Sequence, residues 1–149
     1  MGKLLLLSDG EALTGLYMDR DIPVCAQARG CDALDRTKRW LDAYFRGDRP
    51  AMDIPLAAEG TPFQKMVWAR LQEIPYGTVV SYGQIAAELA EKLGKKNMSA
   101  QAVGQAVGRN PISILIPCHR VVGAKGQLTG YAGGLEKKVW FLRHEEVIK

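Results

Sequence analysis

The sequence has little cysteine: Cys25, Cys31 and Cys118 are the only three among 149 residues. Three unevenly placed thiols cannot make a disulfide framework. Cys25 and Cys31 do not form a zinc pair either, and read as free thiols. Long hydrophobic runs are missing too. The longest near the N-terminus is four leucines, residues 4–7, too short for a bilayer span or a signal-peptide core. With no targeting segment in view, the expected compartment is the cytoplasm, with no membrane partner. The bias of a disordered, collagenous or coiled-coil chain is absent as well. Hydrophobic residues make up 47% and charged residues 24%, which is ordinary for a globular protein. A chain of this length holds one compact domain or two small ones. It buries roughly 70% of its unfolded surface, enough to fold without staples.

What is present is unevenly distributed. Residues 1–59 carry 8 Lys/Arg against 10 Asp/Glu, whereas residues 60–149 carry 12 against 6. A basic C-terminal part suits an anionic partner, nucleic acid first, although a merely soluble surface has the same balance. Two short apolar stretches around Asp9-Gly10 fit a β-hairpin. The apolar positions of residues 33–45 fit an amphipathic helix that Gly47 would end. Residues 48–60, with Pro50, Pro55 and Gly60, read as a linker. A helix should open at Thr61-Pro62-Phe63-Gln64, which has a capping Thr, Pro at the first helical position and Gln placed to bond back. Phe63, Val67 and Leu71 share one face of it. Ser81-Tyr82-Gly83-Gln84 repeats the pattern and starts a helix through Ile85, Leu89 and Leu93. Lys92, Lys95 and Lys96 then mark a solvated turn, and Ser99 caps a short helix over 100–107.

The last two helices have the layout of a helix-turn-helix. The second is thin, with Ala100, Ala102, Gly104 and Ala106 along it. A thin helix can enter a narrow minor groove; the same residues also suit close packing against a neighbour.

An apolar approach over 112–116 leads into Pro117-Cys118-His119-Arg120. A cysteine in such a run is most often an inert small hydrophobe. Here Pro117 fixes the backbone before the thiol, His119 and Arg120 bring basic groups that favour thiolate, and the glycines that follow allow close backbone approach. In an extended segment neighbouring side chains diverge, so a water between Cys118 and His119 is a plausible proton path. A third group should orient the histidine. The final helix, from 135 to about 147, offers Glu136, Glu145 and Glu146, with Leu135, Val139 and Leu142 turned inward. His144 reads as structural or solvated.

These residues carry a resemblance. Gly60-Thr61-Pro62-Phe63-Gln64, Val67-Trp68, Ile74-Pro75-Tyr76-Gly77-Thr78 and Ser81-Tyr82-Gly83-Gln84-Ile85-Ala86 come first. Ala102-Val103-Gly104, Asn110-Pro111 and Ile116-Pro117-Cys118-His119-Arg120-Val121 follow. Gly130-Tyr131-Ala132-Gly133-Gly134, Lys138 and Glu145 complete the series. In this order, over about residues 60–145, the chain resembles the O6-alkylguanine-DNA alkyltransferases of bacterial type. The resemblance implies a mixed α/β (α+β) fold. Residues 1–58 would be a shortened RNase H-like α/β unit, and residues 59–149 a mainly helical, winged-helix-like domain with a helix-turn-helix.

The implied activity is single-turnover repair by a monomer. Duplex DNA is bound through its minor groove and an O6-alkylguanine, or an O4-alkylthymine, is flipped into a pocket, since its alkyl carbon is out of reach within the stack. Cys118 would attack that carbon as thiolate. His119 would take the thiol proton through a water, Glu145 would orient His119, and Asn110 would brace the turn. Tyr82 would crowd the 3′ phosphate and hydrogen-bond the base. The carbonyls of Cys118 and Val121 would read the guanine amino group, and Tyr131, Ala132 and Gly133 would wall the pocket. Ser99, Ala100, Gln101, Ala102 and Gly104 would face DNA. No metal or organic cofactor is implied. One position departs from the family: Gln101 stands where an arginine usually fills the gap left by the flipped base, and it is shorter and uncharged. Two other classes compete, a lesion-binding protein without transfer and a thiol hydrolase on Cys118, His119 and Glu145. The first usually lacks the cysteine, and the second leaves the thin helix without a purpose.

Overall fold

The computed structural model describes residues 3–18, 30–128, 131 and 134–149. They form two compact units: residues up to 59 with 111–113, and residues 60–110 with 114–149. The architecture is mixed α+β, with five α-helices and two small sheets among the described residues.

In the first unit β1 (Leu4–Ser8) pairs antiparallel with β2 (Leu13–Met18), Leu5 opposite Tyr17 and Leu7 opposite Gly15. The turn forms because the Asp9 carboxylate accepts the backbone N–H of Glu11 and of Ala12, each at 2.9 Å, as aspartate does in turns. Helix α1 (Asp32–Phe45) buries Ala33, Thr37, Leu41 and Tyr44, one stripe at helical spacing. It stops where Gly47 takes φ 98°, a conformation that glycine adopts without penalty.

Residues 48–60 do more than link. Leu13 N–H donates to Pro55 O at 2.8 Å and Ala57 N–H to Leu13 O at 2.9 Å, so Leu56 runs beside β2, and Ile54 is buried. Further along β2, Leu16 N–H donates to Pro111 O and Ser113 N–H to Leu16 O. Bridges this short carry no period for the sequence to display, and the prolines concealed the first of them. Of the two remaining cysteines, Cys31 precedes α1 with its thiol 3.5 Å from Ser8 Oγ, and Cys25 lies outside the described residues.

In the second unit α2 (Pro62–Gln72), α3 (Tyr82–Lys92) and α4 (Ala100–Gly108) each begin on a hydroxyl. Thr61 Oγ1 accepts Gln64 N–H at 3.1 Å, and Gln64 Oε1 accepts Thr61 N–H at 3.0 Å, a complete capping box. Ser81 and Ser99 accept from Gln84 and Ala102 at 3.0 Å. At Ser81 only half of the expected box forms: the Gln84 amide turns to Glu88, and Ser81 belongs to a strand. That strand, β3 (Val80–Ser81), pairs parallel with β4 (Val121–Val122), Val80 opposite Val121. The pairing sets the start of α3 beside the segment that follows Cys118.

Val67, Leu71, Ile85, Leu89 and Val103 fill the core. Trp68 Nε1–H donates to Ala106 O at 2.8 Å, tying α2 to α4. Phe63 is only half-buried, and Leu93, expected on the inner row of α3, is exposed at its C-cap. No described helix is long and apolar enough to cross a membrane.

Gly60 lies under Trp68. A Cβ there would stand 2.5 Å from the indole ring and 2.7 Å from Gln64 Oε1, striking both the core tryptophan and the capping box. Gly60→Ala is therefore expected to destabilise the protein by about 1–3 kcal/mol, read as a lower urea midpoint at unchanged slope. An unshifted midpoint would refute this packing role.

Candidate active site

The reactive segment is shaped by its backbone before any side chain acts. Ile114, buried, sits at φ 72°, a region costly for a β-branched residue. Pro117 follows at φ −78°, ψ 69°, the inverse γ-turn, with Cys118 N–H donating to Ile116 O at 2.7 Å. Cys118–Arg120 is then a single 3-10 turn. The segment is thus not extended, as the sequence suggested. Three residues per turn spread neighbouring side chains by about 120°, so Cys118, His119 and Arg120 point three ways.

His119 and Arg120 both meet Glu145. Helix α5 (Leu135–His144) ends in a Schellman arrangement: Val147 N–H donates to Leu142 O at 2.8 Å and Glu146 N–H to Arg143 O at 3.0 Å, with Glu146 at φ 63°. This ending holds Glu145 at the C-cap, turned inward and only 1% exposed. Its Oε2 lies 2.6 Å from His119 Nε2. Arg120 donates from Nε to Oε1 at 2.7 Å and from Nη2 to Oε2 at 3.1 Å. Of the three candidate glutamates, Glu136 and Glu146 are exposed and only Glu145 reaches the histidine. His119 is fully buried, and its Nδ1 has no hydrogen-bond partner among the described residues. Burial pushes its pKa down against the opposing pull of Glu145, while Arg120 and Lys138 push the same way as burial. His119 is thus a neutral imidazole. Bonded to Glu145 through Nε2–H, it leaves Nδ1 as a free acceptor.

Cys118 is 3% exposed. Burial raises its pKa, and Asn110, Tyr131 and Lys138 work against that rise. Asn110 is buried with its amide donating to Ile116 O at 2.9 Å, which braces the γ-turn. The cation that acts on the thiol is Lys138, not Arg120, whose guanidinium is committed to Glu145. Lys138 is fully buried, 5.7 Å from the centroid of the Tyr82 ring, with its pKa lowered to about 8 chiefly by desolvation. The sequence pointed elsewhere on α5: Leu135 is 47% exposed, and the inward face is Lys138, Phe141, Leu142 and Glu145. Those four fall at i, i+3, i+4 and i+7, a signal masked by the charge at both ends. His144 stacks on Trp140 at 4.8 Å, away from this cluster.

The candidate DNA-facing residues separate by depth. Ala100 and Gln101 are exposed, Ala102, Gly104 and Tyr82 are half-buried, and Ser99 is committed to its cap. A Cβ on Gly104 would lie 3.8 Å from the Tyr82 ring. Tyr82, Ala100, Gln101 and Gly104 line an open cavity of about 580 Å³ with Gly123; Ser99 and Ala102 are not part of its lining. Val121 is buried in β4, and Cys118 O already accepts the Val121 N–H, leaving one lone pair. Tyr131 is half-buried; Ala132 and Gly133 lie outside the described residues. No cluster of His, Cys, Asp or Glu among the described residues could hold a metal ion.

Comparison with known proteins follows the same lines. Residues 62–147 match the model of the 6-O-methylguanine DNA methyltransferase DNA-binding domain. A methylated-DNA–protein-cysteine methyltransferase of Shigella flexneri is 54% identical over 70% of the chain, which spans 59% of that relative's length. One of Haemophilus influenzae is 38% identical over 99% of the chain and 82% of its own length. The crystal structure of Mycobacterium tuberculosis OGT in complex with DNA superposes with a TM-score of 0.82 at 41% identity, over 96% of this chain and 86% of that one. The chain belongs to the 6-O-methylguanine DNA methyltransferase family.

Proposed function

We propose that the protein repairs duplex DNA by transferring the alkyl group of O6-alkylguanine to Cys118, once per molecule. The observation that carries this is a buried thiol beside a buried, neutral histidine on one 3-10 turn. Nδ1 of that histidine is an acceptor with no partner among the described residues, and its Nε2 is fixed on Glu145 at 2.6 Å. The relatives' names and the neighbour solved with DNA support the substrate class.

The thiol proton passes through a water to His119 Nδ1. The thiolate attacks the alkyl carbon, forming the S–C bond as the C–O6 bond breaks, and the electron pair returns to the purine. The imidazolium gives its proton back toward the base, so the products are S-alkylcysteine and guanine. Lys138 favours the thiolate by its charge, and Asn110 holds the turn. Tyr82 and the outer face of α4, carrying Ala100, Gln101, Ala102 and Gly104 after the Ser99 cap, face the minor groove. The carbonyls of Cys118 and Val121, with Tyr131, Ala132 and Gly133, receive the flipped base. In this reading residues 59–149 are the winged-helix-like repair domain with its helix-turn-helix, and residues 1–58 a shortened RNase H-like domain. The protein works as a cytoplasmic monomer. A lesion-binding protein without transfer would have no use for the thiol and its histidine relay.

Incubation with a duplex containing one O6-methylguanine should add one methyl to the Cys118 peptide and remove one lesion per protein, as read by mass spectrometry. Cys118→Ala should bind the duplex and leave the lesion in place. Lesion-dependent binding without an adduct would replace transfer by recognition alone.

Gln101→Arg should raise the single-turnover repair rate, because the longer charged side chain fills the vacated stack and neutralises phosphate. An unchanged or slower rate rejects that role for position 101.

Lys138 carries a pH signature. Its folded pKa of about 8 lies below the unfolded value of about 10.4. Between those values the unfolded chain binds more protons, so this group makes stability rise with pH from about 8 to about 10. The difference corresponds to roughly 3 kcal/mol. Lys138→Met should flatten that rise in denaturant titrations at pH 7.5 and 10. A slope unchanged by the substitution would show that Lys138 is not the group responsible.

A further inference from the structure

Arg120 has no part in the relay just described, although it is nearly buried and makes more polar contacts than either of its neighbours on the reactive turn. Its guanidinium donates twice to Glu145, donates from Nη1 to Ile74 O at 2.8 Å, and lies 5.6 Å from the centroid of the Tyr76 ring. Gly77 N–H adds a long contact to Glu145 Oε1 at 3.4 Å. Glu145 thereby stands among four donors: two guanidinium N–H groups, the imidazole N–H and a backbone N–H. A carboxylate so placed stays ionised and keeps one orientation.

We propose that Arg120 is a positioning residue for the transfer: by clamping Glu145 with a two-point fork it fixes the carboxylate on His119 Nε2 and opposes protonation of His119, so that Nδ1 remains an open acceptor. This inference rests on the proposed alkyl transfer. Without a counter-charge, a buried carboxylate 2.6 Å from an imidazole would favour the imidazolium, and Nδ1 would already carry a proton when the thiol needs a base. Arg120 offsets that pull from the far side of the carboxylate. The other groups facing His119 do not replace it. Lys138, from α5, also opposes protonation but carries its charge only partly above pH 8, and Phe141, its ring centroid 4.9 Å away, has no charge. Cys118 is neutral until the reaction begins. Tyr76 packs its ring against the guanidinium. The fork also anchors Glu145 to the turn holding Ile74, Tyr76 and Gly77, so its orientation does not depend on α5 alone.

The test reads His119 directly. The chain has two histidines, so NMR of the full protein labelled at histidine, with His144→Gln to assign the signals, gives the titration of His119 in the absence of DNA. In the unaltered protein its midpoint should fall below the ordinary histidine value of about 6.5. R120M should move that midpoint to higher pH by about one pH unit or more, and the acid limb of the repair-rate profile should move with it. R120K keeps the charge without the fork. It should leave the midpoint near that of the unaltered protein while slowing transfer. If R120M does not fold, R120Q, which retains a donor without the charge, carries the same expectation. A folded R120M or R120Q with an unmoved midpoint overturns the proposal, and so does an unaltered protein whose His119 titrates at or above the ordinary value. Because the titration uses DNA-free protein, a failure of alkyl transfer would reject the proposed function and still leave the Arg120 result to be read.

Discussion

The carboxylate of Glu145 is the constraint around which the second unit is arranged. It is buried, and it is held by His119, by both arms of the Arg120 fork and by the Gly77 backbone. A buried anion is tolerated only when its lone pairs are met. Here the donors come from the reactive turn and from the turn after α2, so satisfying one charge locks three separated stretches of chain together. The end of α5 serves the same requirement. A Schellman ending with a glutamate at φ 63° rather than a glycine costs backbone energy, and it is what aims the preceding residue inward.

Around this anion the charges are divided by task. Two cations are drawn out of water, and each faces a different acidic group: Arg120 takes the permanent carboxylate, and Lys138 faces the thiol, whose charge appears only when it reacts. The division matches their chemistry. A guanidinium stays protonated and gives a fixed bidentate geometry, whereas a buried ammonium is a single charge whose proton affinity follows its surroundings. The histidine between them is pulled toward protonation by one neighbour and away from it by two, with burial deciding for the neutral form. In the proposed transfer, a base that must be empty before the reaction and filled during it needs such a balance.

Much of this was legible in the chain. The three hydroxyl caps, the glycine stop after α1 and the choice among glutamates follow from local chemistry or from the resemblance, and local chemistry survives folding because its partners lie within four residues. What stayed hidden depends on distant partners. β3 and β4 are two residues each, too short for any period, yet their register sets Tyr82 beside the reactive segment. Arg120 sits next to the histidine in sequence and suggests a charge on the thiol, but a 3-10 turn sends it elsewhere. Lys138 is buried where a hydropathy pattern places a charge outside, and Leu135 is exposed where the same pattern turns it in. Residues 54–57 run along β2 although Pro55 lies within the stretch and Pro50 just before it. In each case a tertiary hydrogen bond or charge overrode a local preference.

The small residues of α4 divide between two faces, and only one of them is explained by packing. Ala106 is buried and its carbonyl receives the Trp68 indole, so its size serves close packing of α2 on α4. Ala100 and Gly104 lie on another face, open to the cavity in front of Tyr82. A Cβ at Gly104 would be in ordinary contact with the tyrosine ring, so glycine is not forced there by the interior of the protein. A constraint absent from inside the fold is one that something outside can impose. An outer face of small side chains beside an aromatic ring suits the narrow groove that the proposed function calls for.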